Sequence, residues 1–207
     1  DRELFIYHTA IPDKSSSITQ LRTYFESIWN LKDSKDYLCK KITSKVETAK
    51  KELEKHTDYL NASYADAYTD WNYEELTMPA NKVTLLSNPI ETENKEPLLW
   101  YSLQKMMEQS ESVTIYTPYI ICGKEMYQGL YDLKEKKITV EIITNDVASG
   151  ANPWGCTDYL NQKEKIWDTG TKVYEFMGKP SCHTKTFLMD DRMSVVGSYN
   201  FDMRSTY

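Results

Sequence analysis

Near the end of the chain, side chains that could act on a phosphate recur at fixed intervals. The segment 183–200 has the pattern H-x-K-x4-D-x6-G-S-x-N, formed by His183, Lys185, Asp190, Gly197, Ser198 and Asn200. A histidine, with an ordinary pKa of about 6.5, can attack an electrophile or carry a proton at neutral pH. The amine, the hydroxyl and the amide can bind phosphate oxygens. These residue types indicate a phosphoryl-transfer site that needs no metal and no other cofactor.

Strand geometry explains part of this spacing. Two β-rich runs, 184–190 and 193–198, are separated by two residues, which predicts a hairpin. Side chains two positions apart on a strand share a face, so His183 and Lys185 are expected to project together. The serine and the asparagine share a face in the same way if their backbone stays extended. Gly197 is expected to permit close backbone approach beside the pocket.

Any one of these six residues is ordinary in a hairpin, and a lone histidine is more often a satisfied core or surface residue. Six fixed positions, each matched about one time in twenty, occur together by chance with odds on the order of 10⁻⁸ per starting point. The pattern as a whole therefore indicates function.

Beyond Pro79, the sequence alternates between the two periodicities of secondary structure. Strand patterns lie at 82–87, 113–121, 138–144 and 172–176, and helix patterns at 96–111, 124–136 and 158–168. Alternation of this kind predicts an α/β fold in which a mixed β-sheet is flanked by helices on both faces.

The first 78 residues have a different pattern. A strand is expected at 3–9, and a helix from about Ile18 that a serine of the run 15–17 can cap. Residues 33–75 have helical spacing without Gly or Pro, which predicts one long helix or a helical hairpin. We interpret 33–78 as a helical insertion rather than a membrane-surface or partner-binding arm, because its acidic and basic residues alternate.

Composition excludes several classes of protein. The 207 residues are 40% hydrophobic, which is enough for a folded core. The net charge of -6 argues against a general nucleic-acid binder. No apolar run approaches the roughly 20 residues that cross a bilayer. The four cysteines are scattered and only three histidines are present, which favours free thiols and argues against structural zinc.

The pattern resembles the HKD motif of the phospholipase D superfamily at every fixed position. The run 197–205, GSYNFDMRS, is similar to the end of the second motif in bacterial cardiolipin synthase-like proteins. TPYI at 117–120 and NDVAS at 145–149 resemble the strand end and the loop that precede that motif. The segment up to FESIWN, within 1–32, resembles the tail of the family's first half. Residues 79–207 would then be the second half, truncated at its carboxyl terminus.

The resemblance implies two histidines, one from each half of the fold. One forms a phosphohistidine, and the other protonates the leaving alcohol and later activates the acceptor. In this chain His183, Lys185 and Asp190 occupy the catalytic positions, and we favour the proton-transfer role for His183. Lys185, Ser198 and Asn200 would bind the phosphate. Asp190 is a weak candidate to orient the histidine, because in the family it looks structural.

One of the two motifs is missing from this chain. His8 and His56 have no K-x4-D context, and the chain stops seven residues after Asn200. The second motif is expected elsewhere in a longer protein or in a homodimer, so the chain alone is expected to be nearly inert. The implied partners are a phospholipid substrate and a bacterial cell membrane, which the protein would reach through parts outside this chain.

Two other functions stay open. A phosphodiesterase or nuclease on the same scaffold is possible, although the five lysines and five acidic residues of 145–185 give a neutral rim rather than a cationic track. The second open function is that of an inactive fragment that binds a partner. Trp154 could touch a lipid from a loop that closes over the site, although packing is favoured. The remaining tryptophans, which are expected in the core, are Trp29, Trp71, Trp100 and Trp167.

Overall fold

The computed structural model of the chain describes residues 4–8, 13–14, 16–37, 41–68, 70–91, 93–148, 150 and 152–207. The chain forms two compact units. One comprises residues 6–85, and the other comprises residues 86–207 with Leu4 and Phe5. The sequence-based division at residues 32 and 78 stays a prediction.

The described residues of the 6–85 unit form three helices and a 3-10 turn, namely α1 (Ser17–Trp29), α2 (Ser44–Ser63), the turn Ala65–Tyr68, and α3 (Tyr73–Leu76). The hydroxyl of Ser16 caps α1 by accepting a hydrogen bond from the Thr19 N–H at 3.2 Å, as the serine run predicts. Of the two alternatives predicted for 33–75, the single long helix is wrong. Residues 33–37 are irregular, α2 begins only at Ser44, and Tyr64 ends it.

Two predicted strands are also wrong. Residues 4–8 of the expected strand 3–9 have no regular structure, and its ends lie outside the described residues. Residues 82–87 are irregular as well. At Leu85 the backbone N–H donates to the side-chain oxygen of Gln20 at 3.5 Å rather than to another strand. An alternating pattern suits a strand, but a strand also needs a neighbour with which to pair.

The 86–207 unit follows the predicted alternation closely. Its elements are α4 (Leu98–Met107), β1 (Ser112–Tyr116), β2 (Ile120–Ile121), α5 (Lys124–Glu135), β3 (Thr139–Asn145), α6 (Pro153–Asp168), β4 (Lys172–Phe176), β5 (Thr186–Met189), β6 (Met193–Val196), β7 (Phe201–Asp202) and α7 (Met203–Thr206). The strand expected over 113–121 is divided into β1 and β2 at Pro118, which has no N–H to give to a sheet.

Five strands form one mixed sheet in the order β4-β3-β1-β5-β6. Strands β1, β3 and β4 are parallel to one another, whereas β5 runs antiparallel to both β1 and β6. The strands β2 and β7 form a separate parallel pair. The α/β class with a mixed sheet flanked by helices is confirmed.

The core of this unit lies where α4, α5 and α6 pack against alternate residues of the strands. Its members from the strands include Val113, Ile115, Ile142 and Phe187. From α4, Trp100 is 2% exposed and meets Phe201 edge to face, with 5.6 Å between ring centroids.

The prediction of a core position is right for Trp100 and wrong for the other three tryptophans. Trp29, Trp71 and Trp167 are 62%, 47% and 53% exposed. Helical spacing identifies an apolar stripe but does not supply the surface that would cover it. Among the helices that the structure describes, none is both long and apolar enough to span a membrane.

The sheet topology brings one end of each of five strands to the same edge of the sheet, the edge that runs across the strands rather than along them. The parallel strands β1, β3 and β4 all finish at this edge. Because β5 is antiparallel to β1, and β6 to β5, β5 begins there and β6 ends there. The segments before β5 and after β6, which contain most of the H-x-K-x4-D-x6-G-S-x-N pattern, therefore lie at this edge, called the catalytic edge below.

Candidate active site

The hairpin of β5 and β6 places the two halves of the motif side by side. Thr186 pairs with Val196, and one step beyond the strands the Gly197 N–H donates to the Lys185 carbonyl at 3.3 Å. This hydrogen bond extends the pairing of β5 with β6 by one residue, as far as the catalytic edge. The His-x-Lys segment and the Gly-Ser-x-Asn segment are therefore neighbours there.

Lys185 and His183 interact directly. The Lys185 Nζ donates to the His183 carbonyl oxygen at 2.7 Å. His183 is exposed as a residue and Lys185 is half-buried. Neighbouring atoms displace water from the imidazole, which lowers the pKa of His183, and the charge of Lys185 lowers it further. Burial likewise lowers the pKa of Lys185. A lowered pKa keeps His183 neutral at neutral pH, the form that can attack or accept a proton.

Asn200 contributes a buried oxygen. Its backbone N–H donates to the Ser205 hydroxyl at 3.2 Å, which fixes the chain after β6. Its Oδ1 is buried and meets no hydrogen-bond partner in the part of the chain that the structure describes. A buried polar atom without a partner costs free energy. Ser198, two residues earlier, is exposed.

Gly197 faces open space. A Cβ built at this position would meet no atom within 4 Å. The expectation that Gly197 permits close backbone approach beside the pocket stays a prediction. Its missing side chain leaves room beside Lys185.

Asp190 lies at the other end of β5. Its backbone has a φ of 51°, a conformation in which Asp and Asn are enriched. Its Oδ1 accepts hydrogen bonds from the N–H groups of Glu111 at 3.0 Å and Ser112 at 2.9 Å, and Oδ2 lies 3.1 Å from Arg192. The Ser112 N–H is the largest cause that lowers the pKa of this carboxyl. These contacts are structural, and β5 separates the carboxylate from His183.

Asn145 organises the catalytic edge, although the sequence analysis gave it no role. It is 2% exposed and ends β3. Its Nδ2 donates to the carbonyls of Pro118 at 2.9 Å and Cys182 at 2.7 Å, and its Oδ1 accepts from the Cys182 N–H at 2.7 Å. The sequence signal that could have identified Asn145 is an amide side chain at the end of a strand whose alternate residues are apolar.

The loop expected to close over the site is partly helical. In the run 150–155, α6 already begins at Pro153, and the Asn152 side chain caps it by accepting from the Gly155 N–H at 3.2 Å. Trp154 is 86% exposed, so the prediction that it packs is wrong. Within the described ranges, no group of three His, Cys, Asp or Glu side chains is arranged to hold a metal ion.

An α/β domain with these two segments paired at one edge of a mixed sheet defines a phospholipase D-like protein. The family model described as "Cardiolipin synthase, PLD-like domain" matches residues 103–207, and the chain belongs to this family.

Curated relatives are longer than this chain. An uncharacterized protein of Streptococcus mutans is 27% identical over 68% of this chain and 29% of its own length. The minor cardiolipin synthase ClsB of Bacillus subtilis is 25% identical over 51% of this chain and 26% of its own. The chain thus spans less than a third of either relative. The phospholipase D family member Nuc of Salmonella typhimurium is 16% identical, with a TM-score of 0.43 over 53% of this chain and 68% of Nuc.

Proposed function

We propose that the protein transfers a phosphatidyl group between alcohols through a phosphohistidine intermediate, as a cardiolipin synthase-like enzyme acting on phospholipids at a bacterial membrane. The observation that carries this proposal is the backbone contact between Lys185 and Gly197. It pairs the backbone segment that carries the imidazole and the amine with the segment that carries the hydroxyl and the amide, and a Cβ at Gly197 would meet no atom within 4 Å.

Within the site the roles follow from the chemistry of each group. Lys185, Ser198 and Asn200 bind the non-bridging phosphate oxygens and stabilise the negative charge of the transition state. Asn200 would act through the N–H groups of its Nδ2, because a non-bridging phosphate oxygen accepts hydrogen bonds and cannot pair with the acceptor Oδ1. Asp190 is left out of the chemistry because its carboxylate holds the hairpin turn.

The transfer takes two displacements. A histidine nitrogen of the second HKD motif attacks phosphorus, the bond to the first alcohol breaks, and His183 gives that oxygen a proton. The acceptor alcohol then loses its proton to His183 and attacks the phosphohistidine, which restores both imidazoles. The family resemblance is the reason for assigning His183 the proton transfers. The first of these transfers needs the protonated imidazole, whereas the lowered pKa of His183 favours the neutral form, which suits attack on phosphorus.

The second imidazole must come from another HKD half, because H-x-K-x4-D occurs only once in this sequence. A longer polypeptide that contains this chain is one source, and the greater length of the relatives supports it. A second copy of the chain is the other source. Water as acceptor would make the same site a phosphodiesterase, and the assay below separates the two products.

The experiment supplies phosphatidylglycerol vesicles to the natural polypeptide and to this chain alone at increasing concentration. We expect the polypeptide to form cardiolipin and glycerol in equal amounts, and an acid-labile phosphohistidine to be trapped. His183→Ala should lower turnover by at least about a thousandfold. His56→Ala, at an exposed position on α2, is the matched control and should be fully active.

Each source of the second imidazole gives its own result. Turnover by this chain that rises with the square of its concentration indicates a homodimeric site, whereas no turnover indicates a second motif in the longer polypeptide. Phosphatidic acid in place of cardiolipin would overturn the transferase assignment. Wild-type rates in His183→Ala would overturn the site.

A further inference from the structure

Two large apolar side chains project from the 86–207 unit close to the catalytic edge. Trp154 is 86% exposed at the start of α6, and Met177 is 77% exposed directly after β4. Exposed apolar side chains that occur singly are common on protein surfaces. What distinguishes this pair is its position relative to the proposed site.

By the ideal rise of a helix and of a strand, the backbones of Trp154 and Met177 reach about the same height on this edge. Helix α6 connects the end of β3 to the start of β4, so its first residues lie at the catalytic edge. Lower down, the Tyr159 hydroxyl donates to Glu175 at 3.1 Å. From that contact, Trp154 is five helical residues nearer the edge, or about 7.5 Å. Met177 is two extended residues nearer, or about 6.6 Å.

The candidate active site opens at this height as well. Phe176, next to Met177, pairs with Asn145, and the Asn145 amide holds the backbone of Cys182. His183 is the next residue. The backbones of His183, of Met177 and of the first turn of α6 therefore lie near one level of the sheet.

The chemistry of this rim suits the interface of a bilayer. Trp has an amphipathic ring that is enriched where acyl chains meet headgroups, and Met is a flexible apolar side chain that adapts to irregular surroundings. Lys179 is exposed two residues from Met177, and Lys185 lies beside His183. These two ammonium groups can pair with headgroup phosphates, although the rim over 145–185 as a whole is neutral, with five lysines and five acidic residues.

We infer that Trp154 and Met177 insert into the headgroup layer of a phospholipid bilayer and so hold the catalytic edge against the membrane. This inference rests on the proposed function, because it names the surface from which that site takes its substrate. It assigns the contact to this chain itself, in addition to any parts outside it.

The test measures sedimentation of the chain with vesicles of phosphatidylglycerol and phosphatidylethanolamine. The double variant Trp154→Ser with Met177→Ser should bind roughly tenfold more weakly, because both anchors lose their apolar surface. Trp167→Ser is the matched control. Trp167 lies at the other end of α6, is 53% exposed and has the Lys163 ammonium 5.3 Å from its ring centroid. Each variant is first checked for an unchanged thermal unfolding midpoint.

The fluorescence of the Trp154 indole gives a direct readout of insertion into the bilayer. Brominated lipids should quench part of the tryptophan fluorescence of the wild type, and this part should vanish in Trp154→Phe but persist in Trp167→Phe. Equal weakening of binding by Trp154→Ser and Trp167→Ser, or quenching that survives Trp154→Phe, would overturn the inference. Failure of the wild-type chain to bind vesicles would also overturn the inference, and a protein partner would then be the candidate occupant of this surface.

A second assay separates this inference from the proposed function. In the natural polypeptide, Trp154→Ser should lower turnover of phosphatidylglycerol in vesicles but leave turnover of a short-chain, water-soluble phosphatidylglycerol unchanged. Turnover of the soluble substrate without vesicle binding refutes membrane insertion alone. Vesicle binding through Trp154 without turnover of either substrate supports the insertion and refutes only the transferase proposal.

Discussion

The side-chain amide of Asn145 holds the backbone of Cys182 by two hydrogen bonds of 2.7 Å, one to its carbonyl and one from its N–H. A third, to the Pro118 carbonyl at 2.9 Å, ties the same amide to the chain that leaves β1. Since Cys182 directly precedes His183, this one buried side chain joins the ends of β1 and β3 to the segment that carries the imidazole. Asn145 is a positioning residue in the proposed mechanism.

Replacing Asn145 with Asp should destabilise the protein and slow transfer. The carboxylate can still accept from the Cys182 N–H, but it cannot donate to either carbonyl and repels both. Leaving two buried carbonyls without donors should cost about 3 kcal/mol of unfolding free energy, measured by urea denaturation. In the natural polypeptide we expect kcat to fall more than KM rises, because the imidazole is displaced while the phosphate ligands stay.

Asn161→Asp is the matched control, since Asn161 is exposed on α6. Its effect on the unfolding free energy should stay within about 0.5 kcal/mol. An Asn145→Asp protein with wild-type stability and wild-type kcat would show that the three hydrogen bonds do not position His183.

Lys185→Met should raise the pKa of His183. The burial of the ring is the largest cause that lowers this pKa and the charge of Lys185 is the next, and the substitution removes that charge. The folded protein binds fewer protons at His183 than the unfolded chain does, so its stability falls as the pH drops below about 6.5. Lys185→Met should weaken that fall. The pKa is read from the imidazole resonances of His183 in a pH titration by NMR.

Lys179→Met serves as the control, because Lys179 is exposed near the same edge and is not among the charges that shift His183. It should leave the titration of His183 where the wild type has it. An unchanged or lower pKa in Lys185→Met would contradict the proximity of the two side chains. In the natural polypeptide the same variant should also lose most transfer, because it lacks the phosphate ligand.

The sequence predicted the 86–207 unit well because its strand patterns from β1 to β6, apart from the short β2, find partners in one mixed sheet. The strand pattern at 172–176 coincides with β4, and the helix pattern at 124–136 differs from α5 by one residue. The strand patterns at 3–9 and 82–87 failed because alternation does not reveal whether a partner strand exists. At Leu85 a glutamine side chain accepts the backbone N–H instead.

The candidate active site was likewise predicted only in part from the sequence. Spacing identified the motif residues, since their order in the sequence is the order in which the hairpin presents them. It did not identify Asn145, because its role depends on Pro118 and Cys182, which lie 27 and 37 residues away. Nor did it predict the exposure of Trp154, which depends on where α6 begins.

Gly197→Ala should leave stability unchanged and lower turnover. A methyl group there meets no protein atom within 4 Å, so it creates no clash in the folded chain. In the proposed mechanism the same methyl group occupies space beside Lys185 that the substrate needs. We expect an unaltered urea midpoint together with a raised KM for phosphatidylglycerol in the natural polypeptide.

Gly129→Ala should destabilise the protein, in contrast to Gly197→Ala. Its Cβ would lie 2.7 Å from Cζ2 of Trp100, which is buried in the core. Overpacking of this kind should lower the unfolding free energy by about 1–3 kcal/mol, more than the gain in helix propensity. The pair tests the structure at both positions, and a larger loss of stability in Gly197→Ala than in Gly129→Ala would show that the space at residue 197 is filled.

Asp190→Asn should separate a structural role from a catalytic one. The amide oxygen can still accept from the N–H groups of Glu111 and Ser112, and Asn tolerates the φ of 51°. We therefore expect near-native stability at neutral pH and retained transfer in the natural polypeptide. Asp190→Ala loses both acceptors and should be clearly less stable. A catalytic carboxylate would instead give two equally inactive variants.

Acid unfolding provides the second readout for Asp190. The hydrogen bonds lower the pKa of its carboxyl from 3.8, so its contribution to stability is present above that pH and is lost as the pH falls through the lowered value. The Asn variant has no proton to take up, so its urea midpoint should fall less steeply in this range than that of the wild type. Asp191→Asn, at the next and exposed position of the turn, should follow the wild-type curve. Identical curves for Asp190→Asn and the wild type would show that Asp190 does not hold the hairpin to β1 through its charged form.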